Sequence, residues 1–165
     1  PRLGDPRFAD EREALMAIVQ HPQLAAPLVD DLDVDDFTHP MTRRVWQLAE
    51  AGFRTDREAG RDPDPATFVA RLRETVDDEP TRRAVAAFGT QPLHADGAVD
   101  ARLVRALVAR VQELAVQRRV ATLKSRMQRT NPVDELESYN KMFGELMVLE
   151  QQRKMFRQRA VGDVI

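Results

Sequence analysis

Residues 11–25, EREALMAIVQHPQLA, decide the architecture, together with VDDFTHPMTRRVWQLAEAG at 34–52. Leu15, Ile18 and Val19 fall on one stripe of a helix, and Gln20-His21-Pro22 stops it, because proline lacks the N–H that a continuing helix requires. A short acidic loop follows. A second helix opens at Thr38 and closes before Gly52. Strands lack their usual material: isoleucine occurs only at 18 and 165, there is one tyrosine, and no segment alternates with period two.

Working outward, Asp64-Pro65, Glu79-Pro80 and Asn131-Pro132 each set a capping side chain before a proline. Gly52 and Gly89 read as C-terminal caps. Helices are therefore expected over 9–20, 40–51, 65–76, 80–88, 99–129 and 132–159, with a short turn at 22–28 and loops at 53–63 and 89–98. In the long helix, Leu103, Leu107, Val111 and Leu114 form one stripe, widened by Val104 and Val108. From Val116 the stripe continues as Val120, Leu123 and Met127, rotated by about 150° at ~100° per residue. One rod thus serves two cores. The last helix presents Leu136, Tyr139, Phe143 and Leu146 as the seam of an antiparallel hairpin, turned at Arg129-Thr130-Asn131-Pro132. The expected fold is all-α: a helical bundle at 1–115 and a helical hairpin at 116–165, sharing one long helix. The alternative is a single core with the long helix kinked near Arg118-Arg119.

Length and composition set further bounds. The chain has 165 residues, 42% of them apolar, and no cysteine, which excludes disulfides and a thiol nucleophile. Pro1 in place of an initiator methionine suggests an excised fragment, and no apolar run approaches the roughly 20 residues of a membrane span; a reducing cytoplasm is the expected setting. Residues 1–100 carry 12 basic and 20 acidic side chains, and residues 101–165 carry 13 and 7, so an acidic bundle precedes a basic hairpin.

Catalytic chemistry finds little footing. Asp31-x-Asp33-x-Asp35 could start a calcium loop, but Asp36 and Thr42 stand where glycine and glutamate are required. His21, His39 and His94 have no paired metal-ligand spacing. The glycines form no phosphate loop, and the two serines sit inside helices far in sequence from any histidine. Arg118, Arg119, Lys124, Arg126 and Arg129, with Arg153, Lys154, Arg157 and Arg159, could attract phosphate, yet no helix-turn-helix or aromatic platform accompanies them.

The Gln20-His21-Pro22-Gln23-Leu24-Ala25 stop, DDF at 35–37 leading to a helix with Arg44 and Trp46, and the ending RRVATLKSRMQRTNP…YNKMFGELMVLEQQRKMFRQRA together resemble the helicase-binding C-terminal domain of bacterial DNA primase. The match covers nearly the whole chain. The N-terminal domain of the replicative helicase is similar in fold, but the terminal basic hairpin with LEQQRK favours the primase. The resemblance implies a non-catalytic module that docks on the helicase's N-terminal domain through its hairpin, while the bundle modulates helicase and primase activity. It implies a parent enzyme that makes RNA primers at the bacterial replication fork, with zinc and magnesium held by domains absent here. Some relatives also hold the acidic tail of single-stranded DNA-binding protein in a basic pocket near the first helix. Arg12 falls near that pocket, among Asp10, Glu11 and Glu13. With Leu136, Tyr139, Phe143 and Leu146 consumed by the seam, Met142, Met147, Met155 and Phe156 remain as anchors for the partner, beside Arg153, Lys154 and Arg157. The alternatives are a regulatory or assembly domain of the helicase itself and a nucleic-acid-binding adaptor.

Overall fold

The computed structural model describes residues 1–162. Among them every regular element is helical: α1 Ala9–Gln20, α2 Pro22–Ala25, α3 Pro40–Glu58, α4 Phe68–Glu74, α5 Glu79–Thr90, α6 Ala101–Gln128 and α7 Leu136–Ala160, with 3-10 turns at Pro6–Phe8, Ala26–Asp31 and Val34–Asp36. The expected hairpin range reaches 165, and its last three residues lie outside the described ones.

Helix α1 is the axle of the bundle and touches α2, α3, α4, α5 and α6. Every residue from Ala14 to Val19 is buried, so the stripe read from the sequence widens to the full circumference. A helix apolar all round belongs inside. At its end the Gln20 amide donates to the carbonyls of Phe88 and Gln91, both at 2.7 Å, satisfying the last turn of α5.

Helix α3 corrects one sequence reading. It does not close before Gly52 but runs on to Glu58, through the segment expected to be a loop. Val45, Ala49, Phe53 and Asp56 continue one buried stripe past the glycine. The C-terminal cap is Gly60, at φ 67°, where the Gly60 and Arg61 amides donate to the Arg57 and Asp56 carbonyls. Gly52 serves packing instead. A Cβ there would lie 2.9 Å from Leu72 Cδ2 and 3.2 Å from the Phe68 ring. Gly89, also read as a cap, lies within α5, where a Cβ would meet both Val69 methyls at 2.9 Å. The two glycines let short α4 wedge between α3 and α5. Gly52→Val is therefore expected to lower stability by about 2 kcal/mol through overpacking, measured by denaturant titration.

Helix α4 is held by a bidentate pair. Asp56, 2% exposed, accepts from both Arg71 terminal nitrogens at 2.7 Å, and Arg61 adds a longer contact at 3.3 Å. These hydrogen bonds, Arg71's first, hold the Asp56 carboxyl below the usual carboxylate range.

Helix α6 begins at Asp100, whose side chain accepts from the Leu103 amide at 2.9 Å, and runs unbroken for 28 residues. Its bundle face is Val104, Val108, Val111 and Ala115, while Leu103, Leu107 and Leu114 are only half-buried. Val116, Val120 and Leu123 are buried on a face rotated by about 120° at ~100° per residue. Helix α7 starts four residues later than expected. Asn131 first turns the chain, its Oδ1 accepting from the Val133 and Asp134 amides at 2.8 and 3.2 Å.

Candidate partner-docking surface

Residues with catalytic potential are used structurally. Glu11, 5% exposed, accepts from the Thr38 amide at 2.8 Å, the Thr38 hydroxyl, the His39 amide at 3.3 Å and the Thr42 hydroxyl at 2.6 Å. It is a carboxylate cap delivered to the N-terminus of α3 from another helix, where the dipole favours negative charge. The acidic run of the Asp31-x-Asp33-x-Asp35 motif folds as a capping box: Asp33 accepts from the Asp35 amide at 2.8 Å, and Asp36 accepts from the Asp33 amide at 2.9 Å. Among the described residues no group of three or more His, Asp or Glu could hold a metal ion.

Asp36 joins this turn to α6. Arg119 reaches its carboxylate at 3.4 Å, and Arg118 donates to the Asp36 carbonyl at 3.1 Å. Burial pushes the Asp36 carboxyl above its usual value, against the lowering pull of the Asp33 amide and of Arg119. Two members of the expected phosphate-attracting cluster are thereby tied to protein groups. Lys124 pairs with Glu150 at 3.8 Å, across to α7.

Packing of α7 is almost confined to α6. Its least exposed positions are Tyr139, Met142, Leu146, Leu149, Arg153, Phe156 and Ala160, with Glu150 beside them. Their spacing of 3, 4, 3, 4, 3 and 4 is the two-per-heptad seam of paired helices. The expected seam is thus corrected. Tyr139 and Leu146 belong to it, but Leu136 is 57% exposed and Phe143 51% exposed. Met142, expected to be a free anchor, is the buried residue of α7 at 7% exposure, having taken the place given to Phe143. A rotation of the seam by about 60°, at ~100° per residue, accounts for both.

The remaining anchors divide. Met147 and Met155 are exposed, at 51% and 39%, as are Lys154 and Arg157. Phe156 is half-buried on the seam side, with the Arg159 guanidinium 6.0 Å from its ring centre. Arg153 is also half-buried and pairs with Glu150 at 3.6 Å. The sequence reading missed Leu136, Phe143 and Val148, the last 55% exposed. The seven-residue interval from Leu136 to Phe143 marked a second face, but Arg153 in the seam hid which face was which. Among the described residues, the large apolar side chains left exposed are Val133, Leu136, Phe143, Met147, Val148, Met155 and Val161, every one beyond Asn131.

Arg12 lies elsewhere. Its Nη1 donates to the Leu3 carbonyl and, at 2.9 Å, to the Asp5 carbonyl, fastening the N-terminal turn to α1. The depression it lines also contains Glu13 and His94, whose amide donates to Glu13 at 2.9 Å.

Comparison with known proteins gives a consistent answer. The family described as DNA primase DnaG DnaB-binding matches residues 11–142. The DNA primase of Mycobacterium tuberculosis H37Rv is 30% identical over 163 residues, covering 99% of this chain and 25% of the relative. That of Mycolicibacterium smegmatis is 33% identical over 164 residues, again 99% and 25%, and that of Streptomyces coelicolor is 31% identical, with 97% and 25% covered. The chain spans about a quarter of the length of these curated relatives. A solved structure titled as the helicase binding domain of primase from Mycobacterium tuberculosis superposes with a TM-score of 0.67 at 29% identity, covering 93% of each chain. Among the described residues no helix is long and apolar enough to cross a membrane.

Proposed function

We propose, from the premise that this chain belongs to the DnaB-binding family of the DNA primase DnaG, that it is the non-catalytic helicase-docking domain of a primase. It binds the N-terminal domain of the replicative helicase and so couples primer synthesis to unwinding. One observation carries the reading: the bundle buries its large apolar side chains, whereas the hairpin leaves a set of them in water. Exposed apolar area of that kind, rimmed by charge, marks a protein-interaction surface. Met147, Met155, Lys154 and Arg157 stay as candidate contacts. Met142 is withdrawn, and Arg153 and Phe156 act chiefly within the hairpin.

The division into a bundle at 1–115 and a hairpin at 116–165 belongs to the same proposal. The main apolar cluster runs from Ala14 to Val111, which supports a bundle that stands without the hairpin. The Arg118 and Arg119 contacts to Asp36 argue that a chain ending at Ala115 folds with reduced stability. The depression at Arg12 is not assigned to the acidic tail of single-stranded DNA-binding protein, because Nη1 is committed to carbonyls and Glu13 shares the site. Direct DNA contact is likewise left out of the reading, since Arg118 and Arg119 are engaged with the 33–36 turn.

Calorimetric titration of the chain with the helicase's N-terminal domain tests the proposal, and no measurable heat or co-elution would remove it. Lys154→Glu with Arg157→Glu is expected to weaken that binding about tenfold at low salt and less at high salt, as rim charges do. Equal affinities at low and high salt would take these two residues out of the interface.

A further inference from the structure

The face of α7 that points away from α6 carries Leu136, Asn140, Phe143, Gly144, Met147, Val148, Gln151 and, further on, Met155. At ~100° per residue these share an arc opposite the seam. From Asn140 to Gln151 the centre of that arc contains no charge, while Lys141, seven residues before Val148, and Glu150, seven after Phe143, border it. Glu137 closes it at one end, and Lys154 at the other. Gly144 sits in the middle of the arc, inside an exposed helix, where glycine is costly compared with alanine. Among the described residues nothing gives it a packing reason, since a Cβ at Gly144 would meet nothing within 4 Å. This distinguishes it from Gly52 and Gly89, whose Cβ atoms would strike neighbours at 2.9 Å.

We infer that Gly144 is the crossing point for a helix of the helicase's N-terminal domain, which lies against α7 between Phe143, Met147 and Val148. This rests on the helicase-docking reading above. A side chain at residue 144 would hold the partner backbone away; its absence lets two helices approach closely while the flanking apolar side chains grip either side. Charge fixes the direction. The matching helix is apolar in the middle, acidic where it overlies Lys154, and without acidic residues over Glu137. Helix α7 presents this arc freely because its packing is almost confined to α6.

The test compares the full chain with its Gly144→Ala and Gly144→Leu forms, titrated against the helicase's N-terminal domain and melted separately. Because the Cβ is unopposed, Gly144→Ala is expected to hold or raise the melting temperature while weakening binding a few-fold. Gly144→Leu is expected to weaken it by about tenfold or more. A stabilised fold that binds worse is a signature that general damage does not give. Gln152→Leu, on the flank of α7, is expected to leave affinity unchanged. If the unaltered chain binds but Gly144→Leu binds equally well, the crossing is wrong and the helicase reading stands. If the unaltered chain does not bind, both fall. Sedimentation decides the remaining occupant: a dimer of the unaltered chain that Gly144→Leu dissociates, with helicase affinity untouched, would give the arc to a second copy and overturn the inference.

Discussion

Asp56→Ala is expected to cost about 3 kcal/mol of folding stability, at the low end for breaking a buried ion pair because Arg71 keeps part of its side chain in water. The substitution strands Arg71 against the Phe68 ring, where its guanidinium carbon lies 5.6 Å from the centroid, and frees α4 from α3. For a chain of this size the melting temperature should fall by roughly 10 °C. Acid should act in the same direction. The Asp56 carboxyl titrates below its ordinary value of 3.8 in the fold, so its contribution is fully present above that pH. It is lost as pH falls through the lower, folded value. Asp36 has the opposite sign, since burial raises its value and proton uptake in mildly acid solution favours the folded state. Urea titrations across the acid range should therefore show a stability plateau before the final fall. In Asp56→Ala that final fall should be shallower. An unchanged acid limb would show that the Asp56–Arg71 pair contributes nothing to it.

Leu123→Asp should separate the two parts of the molecule. Leu123 is 5% exposed in the seam between α6 and α7, and an unpaired carboxylate there costs several kcal/mol, about as much as a two-helix hairpin can supply. The expected result is a detached α7, a loss of helicase affinity of about 100-fold or more, and a bundle that still folds. The chain carries its own reporters: Trp46, wholly buried in the bundle, and Tyr139, half-buried in the seam. Tyr139 should become solvent-like while Trp46 fluorescence and its unfolding midpoint change little. If Trp46 is released along with the hairpin, the division near residue 115 is wrong.

What the sequence revealed, and what it hid, follows the range of the interactions. The stop at His21-Pro22 and the turn at Asn131 are each decided within a few residues, and each is where the pattern places it. Gly52 was misread because its meaning lies 16 and 20 residues away, in Phe68 and Leu72, and a glycine that accommodates a neighbour looks the same in sequence as one that ends a helix. Glu11 gave no hint that it caps a helix starting at residue 40, since nothing local marks a cap brought in from another element. On α7 two apolar faces compete, one for α6 and one for water. With Arg153 occupying a seam position, hydrophobic periodicity alone could not choose between Met142 and Phe143. That ambiguity belongs to any helix with two apolar faces.

The continuous helix α6 belongs to both parts, so the azimuth of the docking arc relative to the bundle is a matter of counting residues. Each residue inserted between the Val104–Ala115 face and the Val116–Leu123 face would turn the second against the first by about 100° and move it by ~1.5 Å. Adding one alanine after Ala115 would leave each face whole in composition yet swing α7 by about a quarter-turn around the bundle. Four added residues would bring the bearing back to within about 40° and lengthen the reach by ~6 Å. Under the helicase-docking proposal, the angle at which this domain would present its parent enzyme to the helicase is thus written as a phase, reset one residue at a time in steps of about 100°.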